Sequence, residues 1–143
     1  MPDRRILGGA AAGAVAAAVW AAQEPLDMRI FRVPYSDAEL VSKPLGASRR
    51  VGSVIHMANG ALFGAVYAAV GPHVPGPGWA KGSAAGMTEH LATWPLVRFL
   101  PHVKLWGNHR AFAQAVWRHL LFGAILGVVE ERLAAGYADG APA

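Results

Sequence analysis

Apolar residues along this chain gather into four stretches, at 6–22, 51–70, 79–97 and 111–129, separated by segments richer in proline and charge. Each stretch approaches the ~20 residues that a helix needs to cross a ~30 Å hydrocarbon core. Each also holds two glycines four residues apart: Gly9/Gly13, Gly60/Gly64, Gly82/Gly86 and Gly123/Gly127. A glycine inside a soluble helix costs about 1 kcal/mol relative to alanine. In lipid there is no hydrophobic drive between helices, and small residues at this spacing let backbones approach closely. The pattern predicts an all-α fold, a four-helix transmembrane bundle packed through these glycines. Residues 1–143 read as a single integral membrane domain.

The segment 23–50 is the longest connection and is interrupted by Pro25, Pro34 and Pro44. Within it, Ser36-Asp37-Ala38-Glu39 has the form of a capping box, predicting a short helix through about Ser42. Leu40, Val41 and Leu45 give that helix an apolar side, which suits the membrane interface. The run from Gly71 to Gly78 is a tight uncharged turn. The run from Arg98 to Arg110 mixes Phe99, Leu105 and Trp106 with basic residues, as interfacial segments do. Trp20, Trp79, Trp94 and Trp106 fall near segment ends and suggest an aromatic belt, with Trp117 deeper and facing lipid.

An internal repeat is visible. His56-x3-Gly60-Ala61-x2-Gly64 matches His119-x3-Gly123-Ala124-x2-Gly127, and Gly9-x-Ala11-Ala12-Gly13 with Trp20 matches Gly82-x-Ala84-Ala85-Gly86 with Trp94. The first and second segments therefore correspond to the third and fourth. The expected architecture is two similar helical hairpins related by an axis along the membrane normal, a parallel repeat.

Composition agrees with a lipid environment: 54% of residues are hydrophobic and 15% charged, against about 25% charged in soluble domains. Mean hydropathy is only +0.29, because the segments are built on Ala and Gly. Cysteine is absent, which excludes disulfides and thiolate chemistry within this chain. The net charge of +4 is spread out, with no basic run longer than two residues, so nucleic acid is not an expected partner. Eight Lys and Arg residues (Arg29, Arg32, Lys43, Arg49, Arg50, Arg98, Lys104 and Arg110) lie on one side of the predicted membrane. Four (Arg4, Arg5, Lys81 and Arg132) lie on the other. This bias predicts cytoplasmic 23–50 and 98–110 segments with both termini outside. Arg4-Arg5, the first apolar stretch and Ala21-Ala22-Gln23 also mimic a secretory signal; the later counterpart of this segment favours a retained span.

Ionisable groups inside spans are costly, roughly 2.5–3.5 kcal/mol each at a helix centre. The candidate intramembrane polar cluster is His56, Asn59, Glu89, His90, Arg118 and His119, with Gln114 as a polar neighbour. Helical rise puts Glu89 and Arg118 at about 16 Å and 12 Å from opposite faces, which predicts a Glu89–Arg118 ion pair. His56 and Asn59 share a face with Gly52, Gly60 and Gly64, the expected packed face. Such a cluster can lock helix register, relay protons through imidazole, or bind a small ligand or lipid headgroup. A metal site is not expected: no H-E-x-x-H or Glu-x-x-His spacing occurs. Adjacent Glu89 and His90 also point about 100° apart on a helix. His73, His102 and His109 fall in connections, and Glu130-Glu131-Arg132 reads as a charged stop. There is no nucleophile elbow, P-loop or dinucleotide motif, and no cofactor is expected.

Several short motifs recur in order: Trp20 followed by Glu24-Pro25, a His-led second segment ending near Tyr67 and Pro72, His90-x4-Pro95, and a His119 segment ending in Glu130-Glu131-Arg132-Leu133. Together they cover most of the chain and resemble the YagU-like bacterial inner-membrane proteins. This chain is shorter, with a compact third connection. The resemblance implies the helical membrane architecture and the bacterial cytoplasmic membrane, and raises His90, Pro95 and His119 as functional positions; it implies no particular activity. The leading functional expectation is a non-enzymatic integral membrane protein, an accessory or structural subunit or a homo-oligomer in the lipid bilayer. The alternative is a proton- or ion-handling protein using the Glu/His/Arg cluster. An intramembrane enzyme ranks third, because no reactive set is complete.

Overall fold

The computed structural model describes residues 4–100 and 104–139. Within them the chain forms five α-helices: α1 (Arg4–Phe31), α2 (Asp37–Ser42), α3 (Arg49–Val70), α4 (Gly78–Thr93) and α5 (His109–Asp139). Single 3-10 segments follow α2, α3 and α4, at Lys43–Leu45, Gly71–His73 and Trp94–Phe99. No strand occurs among the described residues. Three helices, α1, α3 and α5, are long and apolar enough to cross a membrane. The third apolar stretch is not among them: α4 has 16 residues, short of the ~20 a full crossing needs. His102 lies outside the described residues.

Two helices overrun their expected ends. The first does not stop at residue 22 but continues through Pro25 to Phe31. Proline removes its own N–H from the ladder; here the turns around it are held from outside, because Gln23, Glu24 and Asp27 all bond to other elements. Arg32 then takes a left-handed conformation, φ 58°, and ends the helix. As a result Trp20 is no belt residue: it lies buried inside the fold. The last helix passes Val129 and runs on to Asp139. The helix does not end at Glu130 and Glu131. Glu130 is buried and pairs with Arg5 at 3.0 Å. The carboxylate of Glu131 accepts the Gly78 N–H at 3.2 Å, satisfying one of the free donors at the start of α4.

The short helix α2 stands where the capping box predicted it, but its cap differs. The Ser36 hydroxyl does not turn back onto α2. It donates to Glu24 Oε2 at 2.8 Å, and the Asp37 N–H donates to Glu24 Oε1 at 2.9 Å. A carboxylate from α1 therefore caps α2 and ties it down. On its exposed side Glu39 pairs with Lys43 at 2.8 Å, which holds the Glu39 carboxyl below its usual range.

The four long helices follow the order α3, α1, α5, α4, each antiparallel to the next. Small residues make two of these contacts. A Cβ on Gly13 would overlap the Gly60 carbonyl oxygen, and one on Gly64 would overlap that of Gly9. Between α4 and α5, Cβ atoms on Gly82 and Gly123 would each strike the other's carbonyl. At such approach backbone dispersion replaces side-chain packing. Gly52 plays the same part under α2, where a Cβ would overlap the Ala38 carbonyl. The middle contact, α1 on α5, is built differently, from Ala12, Ala16, Leu126 and a set of buried polar groups.

Candidate functional site

Along α1, Trp20, Glu24 and Asp27 fall at i, i+4 and i+7, one face of a helix. That face meets Gln114 and Arg118 on α5 and the chain at 35–37. Arg118 is fully buried, and so is Asp27. Their contact is bidentate: Nε donates to Asp27 Oδ2 at 2.7 Å and Nη2 to Oδ1 at 2.6 Å. Nη2 also donates to the Tyr35 carbonyl at 3.2 Å, Nη1 donates to Asp37, and Glu24 Oε1 lies 3.7 Å away. The guanidinium carbon sits 4.5 Å over the Tyr35 ring. Burial, then the nearby Asp37, pushes the Tyr35 phenol up, so the ring stays neutral.

Three carboxylates thus face one guanidinium, with the exposed Arg49 reaching Glu24 at 3.7 Å. Neutral donors share the remaining charge. Gln23 and Gln114 both donate to Asp27 at 2.6 Å, and Trp20 Nε1 donates to Asp37 at 2.9 Å. Trp117 donates to Gln23 at 3.1 Å. A buried ionic group is tolerated only when its lone pairs and protons find such partners.

The expected Glu89–Arg118 pair does not form. Successive residues on a helix point about 100° apart, so Arg118 faces α1 while His119 faces α4. Glu89 pairs instead with His119, Oε2 to Nε2 at 2.8 Å. The aromatic ring against the Arg118 guanidinium is that of Tyr35. His119 Nδ1 lies 2.7 Å from the Ala115 carbonyl. A carbonyl only accepts, so Nδ1 bears hydrogen. The Nε2–Glu89 contact then requires one further proton, on the imidazole or on the carboxyl. The pair is a defined single-proton site.

Around it His56 and His90 gather. The Trp20 ring meets His119 at 4.8 Å and His56 at 5.2 Å, both edge-on, and His90 lies 4.6 Å from His119. His56 Nε2 and His90 Nε2 are buried and find no hydrogen-bond partner among the described residues. Asn59 is exposed. These groups line a cleft of about 810 Å³ between α3 and α4. Its polar lining is Asp37, His56, Glu89, His90 and His119; the remaining walls are apolar and include Leu40, Val97, Leu62, Phe63 and Phe122.

Of the six residues expected to cluster, five border this cleft; Arg118 stands apart behind Asp37. The Arg118 partners Glu24, Asp27 and Asp37 escape a reading that places Pro25 in a loop. The signal that finds them is the continued helical spacing after Trp20. No group of three or more His, Asp or Glu side chains among the described residues is arranged to hold a metal ion.

No protein-family model matches this chain, and no curated protein or solved structure matches it.

Proposed function

We propose that this chain is a polytopic integral membrane protein of non-enzymatic type, an accessory or structural subunit or a homo-oligomer, in a bacterial cytoplasmic membrane. The observation behind this reading is an inverted burial pattern. Leu7, Leu26, Ile30, Val54 and Leu62 point outward, between 54% and 68% exposed, while Glu24, Asp27, Gln114 and Arg118 are at most 3% exposed. Water drives the opposite arrangement; a hydrocarbon solvent favours this one. In this reading α4 with its 3-10 extension is a fourth, tightly supported span. The hairpins α1–α3 and α4–α5 are the two halves of a repeat, as the paired His and Gly motifs suggest. The prediction is that alkaline carbonate leaves the chain in the membrane pellet and that only detergent extracts it. A monodisperse chain in plain buffer would end this reading. A reporter fused to the C-terminus should be active only outside the cytoplasm.

A second reading, proton handling, is favoured by the single-proton site at Glu89 and His119. Glu89→Gln cannot release a proton. In proteoliposomes the variant is expected to fold as the native chain does and to lose pH-driven flux. A folded variant with native flux would dismiss proton handling.

A further inference from the structure

We propose that the cleft between α3 and α4 binds a single-chain membrane amphiphile with an amine-bearing, cationic head. The proposal rests on the membrane reading above. The cleft volume, about 810 Å³, falls within the roughly 300–1,000 Å³ of sites for small molecules. Its position has a physical origin. In the repeat, α1 corresponds to α4 and α3 to α5, so the α3–α4 boundary is the counterpart of the α1–α5 contact. The glycine register sets Glu24 and Asp27 against Val97 and Leu100, and Gln114 and Arg118 against Val51 and Ile55. The ionic cluster that joins α1 to α5 therefore has no equivalent at the second boundary. That boundary stays open, and in a bilayer something apolar must fill it.

The lining specifies more than a lipid tail. Its apolar walls, at Leu62, Phe63, Val66 and Phe122, suit a hydrocarbon chain. Its polar part holds two buried imidazole nitrogens without partners, His56 Nε2 and His90 Nε2, the second on a residue 1% exposed. The charge there is negative. Asp37 reaches the lining, and behind it Glu24, Asp27 and Asp37 share the one Arg118 guanidinium. The Glu89–His119 pair adds no net charge, and no Lys or Arg among the described residues reaches the lining. An ammonium head can donate to Glu89 and to imidazole lone pairs, and the Trp20 and Trp94 rings beside them suit a cation. A carboxylate or phosphate head meets like charge.

Contact quenching of tryptophan by bromine tests this. The probes are mid-chain-brominated tetradecylamine, tetradecanol and tetradecanoic acid, titrated into lipid nanodiscs. Replacing Trp79, Trp106 and Trp117 with Phe leaves Trp20 and Trp94, which line the cleft. The difference from the native chain reports the outward tryptophans, of which Trp79 is 58% exposed, and corrects for partitioning. After that correction the amine should quench the cleft pair at about ten-fold lower mole fraction than the acid, with the alcohol between. Glu89→Gln should reduce the amine to the level of the alcohol. Equal quenching by the three heads, or the acid acting first, overturns the proposal. So does a dimer whose cleft tryptophans are shielded from all three probes, which would give the cleft to a helix of a second copy. Failure of the outward tryptophans to respond to any probe would instead remove the membrane reading itself.

Discussion

Arg118→Met is expected to destabilise the fold by about 3–5 kcal/mol, the range for removing one partner of a buried ion pair. The guanidinium donates four hydrogen bonds, two to Asp27 and one each to Asp37 and the Tyr35 carbonyl. Methionine fills much of the volume but leaves Asp27 and Asp37 facing Glu24 without a counter-charge in the interior. Loss should reach α2 as well, because Glu24 is also its cap. Arg118→Lys should recover little. A lysine is a single point charge on a flexible stem and cannot hold Asp27 bidentately while reaching Asp37 and Tyr35. Reversible unfolding in mixed micelles, with gel filtration in mild detergent, measures the effect. An Arg118→Met protein within about 1 kcal/mol of native stability would show that the cluster contributes no more than a surface pair.

Gly13→Leu and Gly123→Leu form the second large prediction, because both contacts are backbone on backbone. A Cβ at Gly13 would lie 2.8 Å from the Gly60 carbonyl carbon and 3.0 Å from Gly64 Cα. One at Gly123 would lie 2.6 Å from the Gly82 carbonyl carbon and 2.8 Å from Ser83 Cα. No side-chain rotamer relieves a clash at Cβ, so the helices must move apart along their length. The expected loss is at least about 3 kcal/mol, the upper end of ordinary overpacking, although each change improves helix propensity by nearly 1 kcal/mol. Gly136→Leu supplies the control, since a Cβ there meets nothing within 4 Å. It should be neutral or stabilising. Equal effects at Gly13, Gly123 and Gly136 would mean that propensity, rather than close approach, sets the outcome.

The amino-acid pattern makes the helical content readable, and the reason is local. Apolar runs and glycine spacing are properties of a few consecutive turns. The short helix at Asp37–Ser42 is readable for the same reason, from the Ser36-Asp37-Ala38-Glu39 capping-box pattern. Helix ends were harder. Pro25 suggests a break, and Glu130-Glu131 suggests a membrane edge, but both helices continue because distant groups bond to their last turns. A proline inside a helix costs about 3 kcal/mol, which several buried charge-assisted hydrogen bonds at about 1.5–3 kcal/mol each can offset.

The polar cluster divides along the same line. That Arg118 and the histidines require interior partners follows from their place in apolar helices. Which partners they choose does not. Arg118 and His119 are neighbours in sequence yet serve different interfaces, one toward α1 and one toward α4, because a helix turns about 100° per residue.

From the residues alone, then, come the all-helical class, the apolar outward-facing segments and the need to satisfy a few costly polar groups. The tertiary structure decided that Asp27 and Asp37 hold Arg118, that Glu89 holds His119, and that a cleft separates α3 from α4. Periodicity acts within four residues. Ion-pair choice and an unfilled boundary depend on the order α3, α1, α5, α4, which brings together groups up to 125 positions apart along the chain.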